Sequence, residues 1–127
     1  MEPNDDQWKR LVEVAKSVAA GRAKIITGGG SNETAHAIEL YKASEKVGAD
    51  GIMIVTPYYN KPTQDGIYEH YRAVAEAVGI PLITYNIPGR TGSTIETNTL
   101  LRLSEIENIV AVKDATGSLD RVMDIVA

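Results

Sequence analysis

Cysteine is absent from all 127 residues, which excludes disulfide staples and thiolate metal sites. Nothing approaches the run of about 20 apolar residues that a membrane-spanning helix needs. No basic stripe with interleaved aromatics occurs. A formal charge of −4 and a pI near 5.1 also argue against nucleic acid as a partner. The first six residues, MEPNDD, are acidic and polar, the opposite of a secretory signal peptide. These absences lead us to expect a soluble, cytoplasmic domain that engages neither membrane nor nucleic acid. The two histidines, His36 and His70, have no metal-ligand spacing between them, so no metal site is expected.

What is present suits one compact domain: 43% of the residues are hydrophobic, enough for a core. Four short apolar runs stand out, at residues 24–27, 51–56, 81–85 and 109–113. They are continuous rather than alternating, the pattern of strands buried on both faces of a parallel sheet. Helical periodicity fills the spaces between them, over 8–20, 34–47, 65–78, 97–103 and 118–127. Asn4 or Asp5 can cap the first helix and Ser31 or Asn32 the second, while Gly21, Gly48 and Gly79 can close the first three. From Ile26 through Ile54 and Ile83 to Val112 the strand midpoints are spaced by 28, 29 and 29 residues. Such regularity signals repeated βα units. A complete (β/α)8 barrel of ~250 residues allots ~31 to each unit. The expected fold is therefore α/β, with residues 1–127 forming one partial TIM-barrel domain of about four parallel strands and the intervening helices. Because the pattern starts and stops in a helix, an internal segment of a longer barrel is expected, with an autonomous open α/β sheet as the alternative.

Polar and small residues collect after each strand, in 27–32, 56–60, 85–90 and 113–117, whereas the opposite turns are short and ordinary. Parallel sheets bind ligands at the carboxyl ends of their strands, which share one rim. Lys113 ends the fourth run there. It could snorkel to water. Held among apolar neighbours instead, it would be partly desolvated, which disfavours the ammonium form. A free amine can attack a ketone and form a Schiff base, an electron sink for a carbanion equivalent. Tyr85 places a phenol on the same rim, and Arg90 offers a guanidinium fork suited to a carboxylate. The alternatives are a core aromatic for Tyr85 and an ion pair with Glu96 for Arg90. Tyr58 and Tyr59 are adjacent and cannot both point inward; exposed aromatic loops of this kind often mark an interface. Gly28, Gly29 and Gly30 lack the P-loop lysine and the dinucleotide glycine spacing, so a tight turn close to a ligand is the preferred reading.

The segments "GADGIMIVTPYYNKPTQDG", "ITYNIPGRTG" and "NIVAVKDATG" closely resemble the 4-hydroxy-tetrahydrodipicolinate synthase (dihydrodipicolinate synthase) family. That family belongs to the pyruvate-dependent class I aldolases, which also include N-acetylneuraminate lyase. The resemblance implies a TIM barrel, commonly a homotetramer built from tight dimers. It also implies condensation of pyruvate with aspartate-4-semialdehyde in lysine biosynthesis, with no cofactor and no metal. By resemblance, Lys113 forms the Schiff base and Tyr85 exchanges protons beside it. Tyr59 completes a proton relay into the neighbouring subunit, Tyr58 lies at the same interface, and Arg90 holds the semialdehyde carboxylate. A sialic-acid lyase, a sugar-acid aldolase or dehydratase, and a non-catalytic fragment are the alternatives.

The sequence departs from the family pattern in several places. The strand ending in a Gly-Thr-Thr-Gly-Glu loop is absent, as are the later strands, so little turnover is expected of this segment alone. Gly29 stands where threonine is usual, and Asp114 where glutamate is usual. Asn32 is kept, but His36 replaces the glutamate that helps bind inhibitory lysine, so weak feedback is expected.

Overall fold

A computed structural model describes residues 5–29, 33–58 and 62–127. In chain order the elements are α1 (Asp5–Ala19), β1 (Ile26–Gly29), α2 (Thr34–Lys46), β2 (Gly51–Val55) and α3 (Gln64–Ala77). β3 (Leu82–Asn86), α4 (Pro88–Thr91), α5 (Thr97–Ser104), β4 (Ile109–Asp114) and α6 (Leu119–Val126) follow. The four strands form one sheet in the order β1-β2-β3-β4, every neighbouring pair parallel. Each strand thus adds beside the last after a helical crossover, the winding of a barrel arc.

Local chemistry accounts for most of the boundaries. The hydroxyl of Thr63 accepts the Gly66 N–H at 3.1 Å and starts α3, and Ser118 does the same for Arg121 N–H at α6. Asn4, Ser31 and Asn32, expected as caps, lie outside the described residues; Glu33 holds the N-cap position of α2. Gly21 and Gly48 adopt φ of +79° and +87°, the left-handed turn that ends a helix. Gly79 does not. α3 ends instead through an extended Val78, and the Gly79 N–H donates to the Glu45 carboxylate at 3.0 Å. After β3, where a loop was expected around Arg90, the chain forms the one-turn α4, opened by Pro88 at its first position and closed by Gly92 at φ +73°. No described helix is long and apolar enough to cross a membrane.

One face of the sheet is packed. Ile52, Ile54 and Leu82 point into a core shared with Ile67, Tyr71 and Val74 of α3, Tyr41 of α2, and Leu100 and Leu103 of α5. The other face is open: Ile26 is 49% exposed and Val110 59%. Among the described residues, helices cover one side of this sheet, and the strands are buried on that face. β4 also shifts register against β3. Leu82 pairs with Ile109 but Ile83 pairs with Ala111, so Val110 is an extra residue in the ladder.

Candidate active site

The carboxyl ends of β2, β3 and β4 bring the polar residues of the sequence onto one rim. Tyr85 and Lys113 are register partners. Side chains alternate along a strand, so residues flanked by the core-facing Thr84 and Asn86 must point to the open face. Tyr85 does so, and the Lys113 Nζ lies 4.3 Å from the centroid of its ring. That is within the range of a cation–π contact. Lys113 is exposed rather than held among apolar side chains. Ile109 and Val112 pack towards the helices, so among the described residues the expected apolar surround of the amine is not formed.

Beneath this pair lies a set of buried hydroxyls that the sequence reading missed. Thr56, fully buried at the end of β2, has its oxygen 3.3 Å from both the Tyr85 carbonyl and the Tyr71 hydroxyl. Tyr71 donates in turn to the Ile54 carbonyl at 3.0 Å. Burial pushes the Tyr71 phenol far above its ordinary range, so it stays a proton donor. Tyr41 is raised likewise, by burial first and by neighbouring phenols second, and donates to the Gly29 carbonyl at 2.7 Å. These phenols hold the strand ends and the glycine turn in place. The aim of each hydroxyl depends on packing.

A second missed cluster lies one residue beyond the Tyr85/Lys113 pair, on the opposite face. Asp114 accepts from Asn86 Nδ2 at 2.9 Å, from Arg121 Nε at 3.0 Å and from the Thr116 hydroxyl. Its side chain is 7% exposed and that of Arg121 14%. Burial alone would raise the carboxyl, but the hydrogen bonds from Thr116, Asn86 and Arg121 outweigh it and hold the pKa at about 2.

Arg90 lies on α4, exposed, and forms no ion pair among the described residues, so the Glu96 alternative is not realised. The segment after it is held by Gln64, which donates to the Thr94 carbonyl at 2.8 Å and accepts from Glu96 N–H and the Thr99 hydroxyl. Gln64 thereby ties the start of α3 to the loop between α4 and α5. Tyr58 is half-buried; Tyr59, Gly30 and Asn32 lie outside the described residues. The two histidines occupy unlike settings. His36 is exposed on α2, whereas His70 is 4% exposed on α3.

Known proteins share both the sequence and the fold of this chain. The chain is 57% identical over 122 residues to the 4-hydroxy-tetrahydrodipicolinate synthase of Thioalkalivibrio sulfidiphilus, and 53% over 121 residues to that of Wolinella succinogenes. These matches cover 96% and 94% of this chain but 42% and 41% of the relatives. A crystal structure of the chloride-inhibited dihydrodipicolinate synthase from Acinetobacter baumannii, complexed with pyruvate, superposes with a TM-score of 0.94 at 49% identity. That match covers 98% of this chain and 43% of the other. The chain thus spans about two fifths of the length of the relatives it matches, and its four strands are an arc of their TIM barrel. Residues 3–127 match the model of the Dihydrodipicolinate synthetase family, and the chain belongs to that family.

Proposed function

We propose that this chain carries the Schiff-base part of a 4-hydroxy-tetrahydrodipicolinate synthase site, a lyase-class enzyme of lysine and diaminopimelate biosynthesis. The observation that carries the reading is the pairing of Lys113 with Tyr85, a primary amine 4.3 Å from a phenol ring at the carboxyl end of adjacent strands. The neutral Lys113 amine attacks the keto carbon of pyruvate, and loss of water leaves an imine that takes up a proton. Loss of a methyl proton then gives an enamine, whose carbon attacks the aldehyde of aspartate-4-semialdehyde. Tyr85 is placed to carry protons to and from the adduct, and Tyr59 is assigned the next position in that relay. Arg90, exposed and without an ion pair among the described residues, is available for the semialdehyde carboxylate. No cofactor or metal takes part. Tyr58 and Tyr59 are assigned to the interface of a tight dimer, two of which make a homotetramer in the cytoplasm. The relative crystallised with pyruvate supports the choice of keto acid.

The test is capture of pyruvate. The chain is incubated with pyruvate, reduced with borohydride and digested, and the modified peptide is identified by mass. A reduced adduct on Lys113, lost in Lys113→Ala, is the expected result. An unmodified Lys113 in a complete barrel that carries this segment refutes the reading. Where a complete barrel is available, faster consumption of a sugar aldehyde than of aspartate-4-semialdehyde would move the assignment to a sibling aldolase.

A further inference from the structure

We infer that Asp114 is a positioning residue for the Schiff-base lysine: its buried hydrogen-bonded clamp on the helix-facing side of the sheet sets the register that brings Lys113 against Tyr85 on the open side. The inference rests on the proposed role of Lys113 and adds a residue to it.

The geometry runs through two adjacent register pairs. Tyr85 pairs with Lys113, and the next pair along is Asn86 with Asp114. Alternation along each strand sends the first pair to the open face and the second to the packed face. On the packed face, Asn86 is fully buried and donates from Nδ2 to Asp114, while its own oxygen accepts the Ile95 N–H at 3.1 Å. Arg121 bridges the same two partners from α6, donating to the Asp114 carboxylate and to the Ile95 carbonyl. Below the clamp, the Ala115 N–H donates to the Asn86 carbonyl at 2.8 Å. The ends of β3 and β4, the segment leading into α5, and α6 therefore meet at one carboxylate.

β4 needs such a lock. It already carries the extra residue at Val110, where its pairing with β3 shifts. A slip of one residue in its pairing would turn Lys113 to the packed face and leave Tyr85 opposite Val112. Only a group that accepts from several directions can hold both strand ends at once, and a carboxylate has the lone pairs to do so. An amide that keeps its oxygen towards Asn86 Nδ2 and Arg121 would turn its NH2 against the Thr116 N–H and lose that acceptor and the charge. Glutamate keeps the charge and both oxygens on one added methylene.

The experiment uses the chain as it stands, with Asp114→Asn, Asp114→Glu and, as a milder break on the helix, Arg121→Gln. Folding of each is checked by far-ultraviolet circular dichroism. The first readout is the rate of borohydride-trapped pyruvate at Lys113 against pyruvate concentration. In Asp114→Asn the plateau rate should fall roughly tenfold or more, the scale of a misplaced reacting group, with half-saturation unchanged. Asp114→Glu should recover most of it, and Arg121→Gln should fall between them. The second readout needs no pyruvate: the ε-methylene protons of Lys113 should be shifted upfield in the NMR spectrum by the Tyr85 ring, and Asp114→Asn should lose that shift. A folded Asp114→Asn chain with wild-type plateau rate and wild-type ring-current shift overturns the inference. If Asp114→Asn is unfolded, the same two unchanged values in Arg121→Gln overturn it. Failure of the wild type to trap pyruvate counts against the proposed function, and the ring-current comparison still decides the positioning.

Discussion

The Lys113 Nζ sits over the Tyr85 ring, 4.3 Å from its centroid, and the two residues are partners in the β3–β4 ladder. Ring and hydroxyl can be separated by substitution. Tyr85→Phe keeps the aromatic face that the lysine contacts and removes only the phenolic proton. Pyruvate trapping at Lys113 should slow by about 10²-fold or more, the usual scale for loss of a positioned acid–base group. The fold, followed by circular dichroism, should be unchanged. Trapping at the wild-type rate would take the proton shuttle away from Tyr85.

His70 should make stability depend on mild acid. Its ring is buried on α3, with Nδ1 2.9 Å from the Thr34 hydroxyl and no partner for Nε2 among the described residues. Burial lowers its pKa from 6.5. The unfolded chain therefore binds the proton more readily than the folded one. Stability is complete above about pH 6.5 and declines as pH falls below that towards the folded value, with a slope capped at about 1.4 kcal/mol per pH unit. Urea midpoints should drop between pH 7.5 and 5, and His70→Gln should flatten that drop. An equal pH slope in both proteins would show that His70 is not the titrating group.

Asp114 acts in a lower window. Its folded pKa of about 2 against 3.8 unfolded corresponds to about 2 kcal/mol of stability. Because the folded value is the depressed one, that contribution is present in full above about pH 4 and lost as pH falls through 2. Asp114→Asn should therefore be less stable by about this amount at pH 7 in urea titrations. The difference from wild type should shrink steadily on acidification from pH 4. A constant difference across that range would assign the loss to packing instead of charge.

Gly48 tests the turn between α2 and β2. Its φ is +87°, and an added Cβ would lie 3.4 Å from the Lys16 Nζ, which donates to the Gly48 carbonyl. Gly48→Ala should cost about 1–2 kcal/mol from the left-handed backbone alone, read as a lowered urea midpoint at pH 7.5. Gly29→Ala offers a comparison, since none of the described residues comes within 4 Å of its added Cβ. Equal losses at the two positions would mean that the turn conformation is not what limits Gly48.

Much of the fold was legible because its signals are local. Gly21 and Gly48 ended their helices as read, and the apolar runs at 51–56 and 81–85 became β2 and β3 nearly residue for residue. β1 was misplaced by two residues. The run at 24–27 looks more strand-like than Gly28 and Gly29, but pairing of those glycines with Met53 and Ile54 decides the outcome. α4 was missed although Pro88 and Gly92 bracket it, because a single turn has no periodicity to show. The placing of Tyr85 and Lys113 at the carboxyl ends of adjacent strands was legible from the apolar runs they close. Asp114 and Arg121, seven positions apart and joined only across a strand end and a helix, were not.

The sequence by itself determined four parallel βα units and a common rim, since apolar runs and turn residues act over a few neighbours. Which face of the sheet each rim residue occupies was settled only in three dimensions. Had the Leu82–Ile109 pairing continued without the extra Val110, Tyr85 would lie opposite Val112, and the amine would point among the helices. Strand periodicity is two, so a single inserted residue reverses the facing of all that follow, and only the ladder of hydrogen bonds between strands records where that insertion falls.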